Sequence, residues 1–307
     1  MSNNILITGV SGLLGSNLAY YFKRDYQVHG VYNNHPVDIS GITSSAVNLV
    51  DFSSVKTLVD RVKPVFVIHC AARTDVDRIE DDKDSGWLAN VKTTQVLLSA
   101  LGDTDAKLIH ISTDSVYSGQ GGPYTEDSPV EPCNWYGETK LESERLALNR
   151  EKSLILRTNF YGWNIQDKES LAEWFLNRLQ KHQEINGFTD AKFSSIYSLI
   201  FAEYLEKCID KDLTGVFNFA CRDSLTKFEF GQMLAERFAL DSNNLKPVLM
   251  NECGLKATRG KNLSLSVERL EEALGESMPT MCECLDRFYS DWKRDIPRLI
   301  KCGLSDK

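Results

Sequence analysis

The stretch NWYGETKLESERL, residues 134–146, sets a tyrosine and a lysine four positions apart, Tyr136 and Lys140. It is rich in Glu, Lys, Leu and Arg, and leucines recur at 141, 146 and 148, so it predicts a helix. A spacing of four stacks the two side chains on one face. An ammonium stacked on a phenol is the makings of a proton donor, but such pairs also arise by chance in many helices. What lies upstream decides between chemistry and coincidence.

Upstream, ILITGVSGLLGSNLAYYF places Gly9, Gly12 and Gly15 between an apolar run and a helical one. Each glycine has a physical reason: a tight turn at Gly9, close backbone approach to a pyrophosphate at Gly12, and close helix-to-strand packing at Gly15. The helix N-terminus, with Ser11, Leu13 and Leu14 around it, then offers N–H groups to phosphate. The spacing is G-x-x-G-x-x-G rather than G-x-G-x-x-G, yet strand before and helix after make it a dinucleotide site. The second strand, QVHGVYNNHP, ends without an acid. An Asp or Glu there would bond the ribose 2′-hydroxyl of NAD. Tyr32, Asn33, Asn34 and His35 instead leave a 2′-phosphate unrepelled, with Asn33 or His35 able to donate to it. NADP(H) is favoured over NAD(H) on that missing charge, although no arginine is present either.

Strands are predicted at 5–8, 27–32, 65–70, 107–112 and 154–158, with helices at 13–23, 53–62, 87–101 and 134–150 between them. Strand and helix in alternation make a parallel sheet covered on both faces. VFVIHC and KLIHIS are nearly continuous in apolar residues, as central strands buried on both sides should be. The expected fold is α/β: a Rossmann-type doubly wound parallel sheet with a smaller, mainly C-terminal substrate-binding lobe. The dinucleotide-binding domain is assigned to 1–160 with a returning strand near 215–220, and the lobe to 161–307. Helices are expected in the second half at 168–180, 194–211, 227–238 and 279–293.

The 307 residues carry a formal net charge of -8, which gives no electrostatic footprint for nucleic acid or an anionic membrane. No apolar run approaches the roughly 20 residues of a membrane span, and the short first apolar segment runs straight into glycines. A cytoplasmic location is expected. The eight cysteines are scattered in a chain too large to need disulfides. Cys282 and Cys284 form a C-x-C, but no second pair completes a zinc set, so no metal site is expected.

VIHCAARTDVDRIEDD, NVKTTQVLLSA, ISTDSVYSG, PYTEDSPVEPCNWYGETKLESE and LRTNFYGWN follow in that order. With these segments the sequence resembles the extended short-chain dehydrogenase/reductases, most closely the dTDP-4-dehydrorhamnose reductase family. The likeness is densest over residues 5–162. It makes Tyr136 and Lys140 catalytic, and it carries the family's Ser/Thr onto Thr113, which would hydrogen-bond the substrate carbonyl. The physics agrees, because a tyrosine with a reference pKa near 10 becomes a usable acid and base beside an ammonium. Lys140 would also bind the nicotinamide ribose.

The resemblance further implies that Asn90 supports the site through water. Asp51, with Phe52 after it, would contact adenine, and the backbone of Ala71, Ala72 and Arg73 would pass the cofactor. Arg73 stands where tyrosine is common. Thr74, Thr113, Asp114, Ser115, Asn159 and Arg259 fall on the substrate side. Sugar-nucleotide dehydratases carry Asp then Glu where this chain has Asp114 then Ser115, which disfavours dehydration.

The expected activity is reduction of a nucleotide-linked 4-keto-6-deoxy sugar by NAD(P)H. Two alternatives stand beside it: an epimerase that retains NAD, and a non-catalytic NADP-binding regulatory subunit resembling that of methionine adenosyltransferase. The helices at 87–101 and 134–150 correspond to those that pair many such enzymes into a homodimer.

Overall fold

The computed structural model describes residues 3–102, 104–166 and 168–302. Seven strands build its main sheet: β1 (Asn4–Thr8), β2 (Gln27–Tyr32), β3 (Thr43–Ala46), β4 (Phe66–His69), β5 (Lys107–Ile111), β6 (Ser153–Thr158) and β7 (Gly215–Phe219). Their order is β7-β6-β5-β4-β1-β2-β3, and every pairing is parallel. The order reverses between β1 and β4, the place where a doubly wound sheet opens a crevice at its strand ends. The register keeps those ends level, with Thr8 opposite Val31 and His69, and His69 opposite His110.

Helices cover both faces. On one, α2 (Phe52–Val62), α5 (Thr93–Leu101) and α6 (Trp135–Leu148) pack on Leu6, Val67, Leu108 and Ile155. On the other, α1 (Leu13–Phe22) and α8 (Ser198–Asp210) pack on Ile5, Ile7, Ile68, Ile109 and Leu156. Alternate residues of each central strand therefore serve opposite cores, which is why β4 and β5 are buried throughout.

Several elements depart from expectation, among them the helix expected over 194–211, which begins only at Ser198 after a two-residue strand at Ile196–Tyr197. β3 has no counterpart among the predicted strands, because TSSA is polar and mostly exposed on the sheet's edge and so carries no apolar alternation. The helix expected over 87–101 is three pieces: α4 (Lys83–Trp87), one π turn at Leu88–Lys92, and α5. A short helix, α3 (Val76–Asp81), precedes them.

The second half supplies α7 (Leu171–Gln180), α9 (Lys227–Arg237), α10 (Glu268–Leu274), α11 (Met281–Lys293) and α12 (Ile296–Cys302), with strands of two to four residues among them. Phe288 of α11 stacks on Trp163 at 4.0 Å between centroids and meets Tyr161 and Tyr197 edge-on, so one aromatic cluster packs α11 against the segment after β6 and the residue before α8. Cys70, Cys133, Cys208, Cys221, Cys253, Cys282 and Cys284 are free thiols, while the Cys302 side chain lies outside the described residues. Among the described residues no helix is long and apolar enough to cross a membrane.

Candidate functional site

The glycine turn follows β1. Gly9 has φ +69°, and a Cβ there would meet the Ala71 backbone at 2.8 Å. A Cβ on Gly15 would collide with the Gly9 carbonyl oxygen, so helix and turn touch through bare backbone. Gly12 is the N-cap of α1 and brings no side-chain cap, which leaves the turn of Ser11, Leu13 and Leu14 as a place for an anion. Ala71, Ala72 and Arg73 follow β4 beside it, tied by the Ala71 N–H to Thr8 Oγ1 at 3.3 Å. Asn33 and His35 stand exposed just past β2. Asp51 caps α2, and the bonds it accepts from Ser54 and Ser53 hold its carboxyl below the usual range. Phe52, the first residue of α2, is half exposed. These residues, expected at a cofactor, thus all follow the ends of β1, β2, β3 and β4, the side of the sheet on which its order reverses.

Arg73 turns its guanidinium to the Ser85 hydroxyl, while its backbone is held at the end of β4 by Asn90. Asn90 is buried in the π turn. Its side chain accepts from the Arg73 N–H at 2.7 Å and donates to the Arg73 carbonyl and to Thr139 Oγ1. Its carbonyl takes the hydroxyls of Thr94 and Ser143. The support it gives is therefore direct: it clamps the loop after β4 onto α6.

At the head of α6, Asn134 caps the helix by accepting from the Gly137 N–H at 2.9 Å, and reaches the second lobe by donating to the Thr258 carbonyl. A Cβ on Gly137 would collide with the Ser115 carbonyl oxygen. Gly137 is thus what lets α6 close on the 113–115 segment. Gly137→Ala should cost about 1–3 kcal/mol through overpacking, measured by urea unfolding.

Tyr136 is within hydrogen-bonding reach of Thr113, whose hydroxyl donates to Asp114 Oδ1 at 3.1 Å. Asn159 and Ser115 also donate to Asp114. Burial pushes the Asp114 carboxyl up to about 6 against those bonds. Burial likewise pushes the Tyr136 phenol up to about 12; the bond to Thr113 opposes the rise and the Asp114 charge adds to it. Lys140 donates to the Ile111 carbonyl at 2.7 Å, and burial brings its ammonium down to about 8, with Glu144 and Cys70 opposing. Lys140 lies against the end of β5, an interior strand, and is not among the groups that shift the tyrosine. Burial governs both groups here.

Thr113, Asp114, Ser115, Tyr136 and Asn159 line a cavity of about 510 Å³ that reaches Thr74 on one side and the second lobe on the other. The far wall brings Lys192, Lys227 and Arg259 together with Phe188, Phe193 and Met250. Arg259 pairs with Asp77 of α3 at 3.0 Å, so a tie crosses between the lobes at the cavity. Lys192 and Lys227 are not among the residues that the sequence singles out. The T-x-x-E capping box at Thr226–Glu229 marks a helix start, but nothing local says that Lys227 faces a cavity. Asp114 is the only carboxylate among the described residues of the lining. The lining otherwise suits an anionic ligand with an apolar part.

Fold and site define an extended short-chain dehydrogenase/reductase: a doubly wound sheet, a glycine turn, and a threonine, tyrosine and lysine at the crevice. More narrowly, the RmlD substrate binding domain model matches residues 3–294, and the chain belongs to that family. Methionine adenosyltransferase 2 subunit beta of Xenopus laevis is 30% identical over 290 residues, covering 91% of this chain and 85% of that one. The probable low-salt glycan biosynthesis reductase Agl14 of Haloferax volcanii is 28% identical over 295 residues, covering 93% and 98%. The crystal structure of dTDP-4-dehydrorhamnose reductase from Bacillus anthracis, in complex with NADP, superposes with a TM-score of 0.82 at 27% identity, covering 95% of this chain and all of that one.

Proposed function

We propose that the protein reduces a nucleotide-linked 4-keto-6-deoxy sugar, taking hydride from NADPH in preference to NADH. One observation carries the reading: Tyr136 and Thr113 meet on the wall of a cavity whose far side presents Lys192, Lys227 and Arg259. A keto carbon held between the glycine turn and that wall would face a proton donor, and a nucleotide diphosphate would face the cations. The relatives named as reductases, from Haloferax volcanii and Bacillus anthracis, support the same reaction class.

In this reading the cofactor supplies the hydride and the protein supplies orientation and the proton. Tyr136 protonates the forming alkoxide, Thr113 turns its hydroxyl from Asp114 to donate a hydrogen bond to it, and Lys140, still bonded to the Ile111 carbonyl, offers a remaining N–H to the nicotinamide ribose. The test is an NADPH-oxidation screen over nucleotide-linked keto sugars, in which turnover of at least one 4-keto-6-deoxy sugar is expected. Pairing of two copies through α5 and α6 belongs to the same proposal.

The cofactor preference rests on the acid-free residues after β2. Asn33→Asp should move selectivity toward NADH by about tenfold, through repulsion of the 2′-phosphate and a new ribose hydrogen bond. Paired NADPH and NADH titrations measure it, and an unmoved ratio would remove Asn33 from the phosphate site.

A second reading follows from the likeness to methionine adenosyltransferase 2 subunit beta, which makes a non-catalytic NADP-binding subunit the rival. Tight NADPH binding with no oxidation by any sugar of the panel would favour it.

A further inference from the structure

Two histidines sit side by side at the ends of β4 and β5, both buried, and their situations differ. His69 is fully partnered: Nδ1 bonds Thr8 Oγ1 at 2.7 Å and Nε2 bonds Thr94 Oγ1 at 3.0 Å. Because the Thr94 hydroxyl donates to the Asn90 carbonyl, it accepts from His69, which puts the His69 proton on Nε2. The ring joins the glycine-turn strand to the first turn of α5, and needs no further explanation.

His110, across from it at 5.5 Å between centroids, has Nε2 facing the Lys140 ammonium at 3.5 Å and, among the described residues, no partner for Nδ1. Burial keeps the ring neutral, and the nearby charge of Lys140 and ring of His69 push the same way. A neutral ring that accepts at Nε2 carries its proton on Nδ1. That N–H is then a buried donor left unpaired, which costs stability that an apolar side chain in the same space would not. Among the described residues the one hydrogen-bond partner of that side chain is Lys140, and it is there that the histidine acts.

We propose that His110 is a positioning residue for Lys140, its Nε2 accepting from the ammonium so that the charge is held beside the crevice with a third N–H left for the cofactor ribose. The inference rests on the reading of Lys140 given above. Lys140 has three donors, of which the Ile111 carbonyl takes one and His110 the second. The other groups around it are Glu144 and Tyr136, one turn away on its own helix, and Cys70 and His69 at the end of β4. Among these, Glu144 and Cys70 favour the charged form. With an ammonium already brought down to about 8 by burial, loss of one acceptor decides its charge near physiological pH.

The experiment is an NMR titration of the full chain labelled at lysine Cε, with the Lys140 signal assigned by Lys140→Met. In the wild type Lys140 should titrate near 8. His110→Leu, and His110→Phe as a ring-shaped alternative, should lower that value by about half a unit to one unit. His110→Gln, which restores an acceptor near the Nε2 position, should bring it back to within about 0.3 units. His110→Leu should melt no lower than wild type, yet bind NADPH about threefold more weakly at pH 8 than the wild type does. An unmoved Lys140 titration in both apolar variants would overturn the proposal, and a lower melting temperature with an unmoved titration would make His110 a structural residue. If the wild type binds no NADPH while the titrations shift as stated, the functional reading fails and the coupling of His110 to Lys140 stands.

Discussion

Tyr136→Phe will lower turnover of a responsive keto sugar by about a hundred- to ten-thousand-fold, the worth of a positioned general acid. NADPH affinity will stay within about twofold, because the ring remains and only the hydroxyl is lost. The geometry sets this expectation. The phenol sits within reach of Thr113 on the cavity wall and keeps its proton up to about 12, so it enters the reaction as an acid throughout the neutral range. The phenolate that proton transfer leaves needs a cation nearby, and Lys140 lies one turn along the same helix. Lys140→Met should therefore cut turnover and weaken NADPH together, whereas Thr113→Val should cut turnover with little loss of cofactor. Steady-state kinetics with cofactor titrations separate the three patterns, and a phenylalanine variant near wild-type rate would remove Tyr136 from the mechanism.

What the sequence made legible was whatever depended on local pattern. β1, β4 and β5 are runs whose burial on two faces leaves a nearly continuous apolar stretch, β2 stands between a turn and an exposed segment, and the observed strands fall within a residue or two of the expected ones. The glycine turn was legible because strand, spacing and helix are contiguous. β3 was hidden by its exposure, and the π turn by its length of one turn, since an inserted residue leaves no mark in a helical pattern. The second lobe was hardest. Phe193 and Lys192 reach the cavity from a two-residue strand, too short for any alternation to show. The need for Gly137 is set by Ser115, 22 positions away, and the odd situation of His110 by Lys140, 30 away. Such demands are tertiary and cannot be read from neighbours in sequence.

The same applies to the group that fixes the candidate helix to the sheet, and it carries the largest stability effect expected here. Glu144, one turn beyond Lys140, is buried and accepts three bonds from the Arg157 Nε and Nη2 of β6, with the Ser112 hydroxyl also bonded to Oε1. Arg157 Nη1 continues to the Tyr117 hydroxyl at 2.9 Å, so the network runs from α6 through the sheet to the segment after β5. Removing one partner leaves a charge buried without compensation. Arg157→Leu should cost about 3–5 kcal/mol in urea unfolding at pH 7.5. The double variant Glu144→Leu/Arg157→Leu should recover about half or more of the loss, because no charge is then left buried. A double variant as unstable as the single would show instead that the pair stabilises the fold by its own attraction, and that α6 is held by Coulomb energy rather than by the avoidance of an unpaired charge.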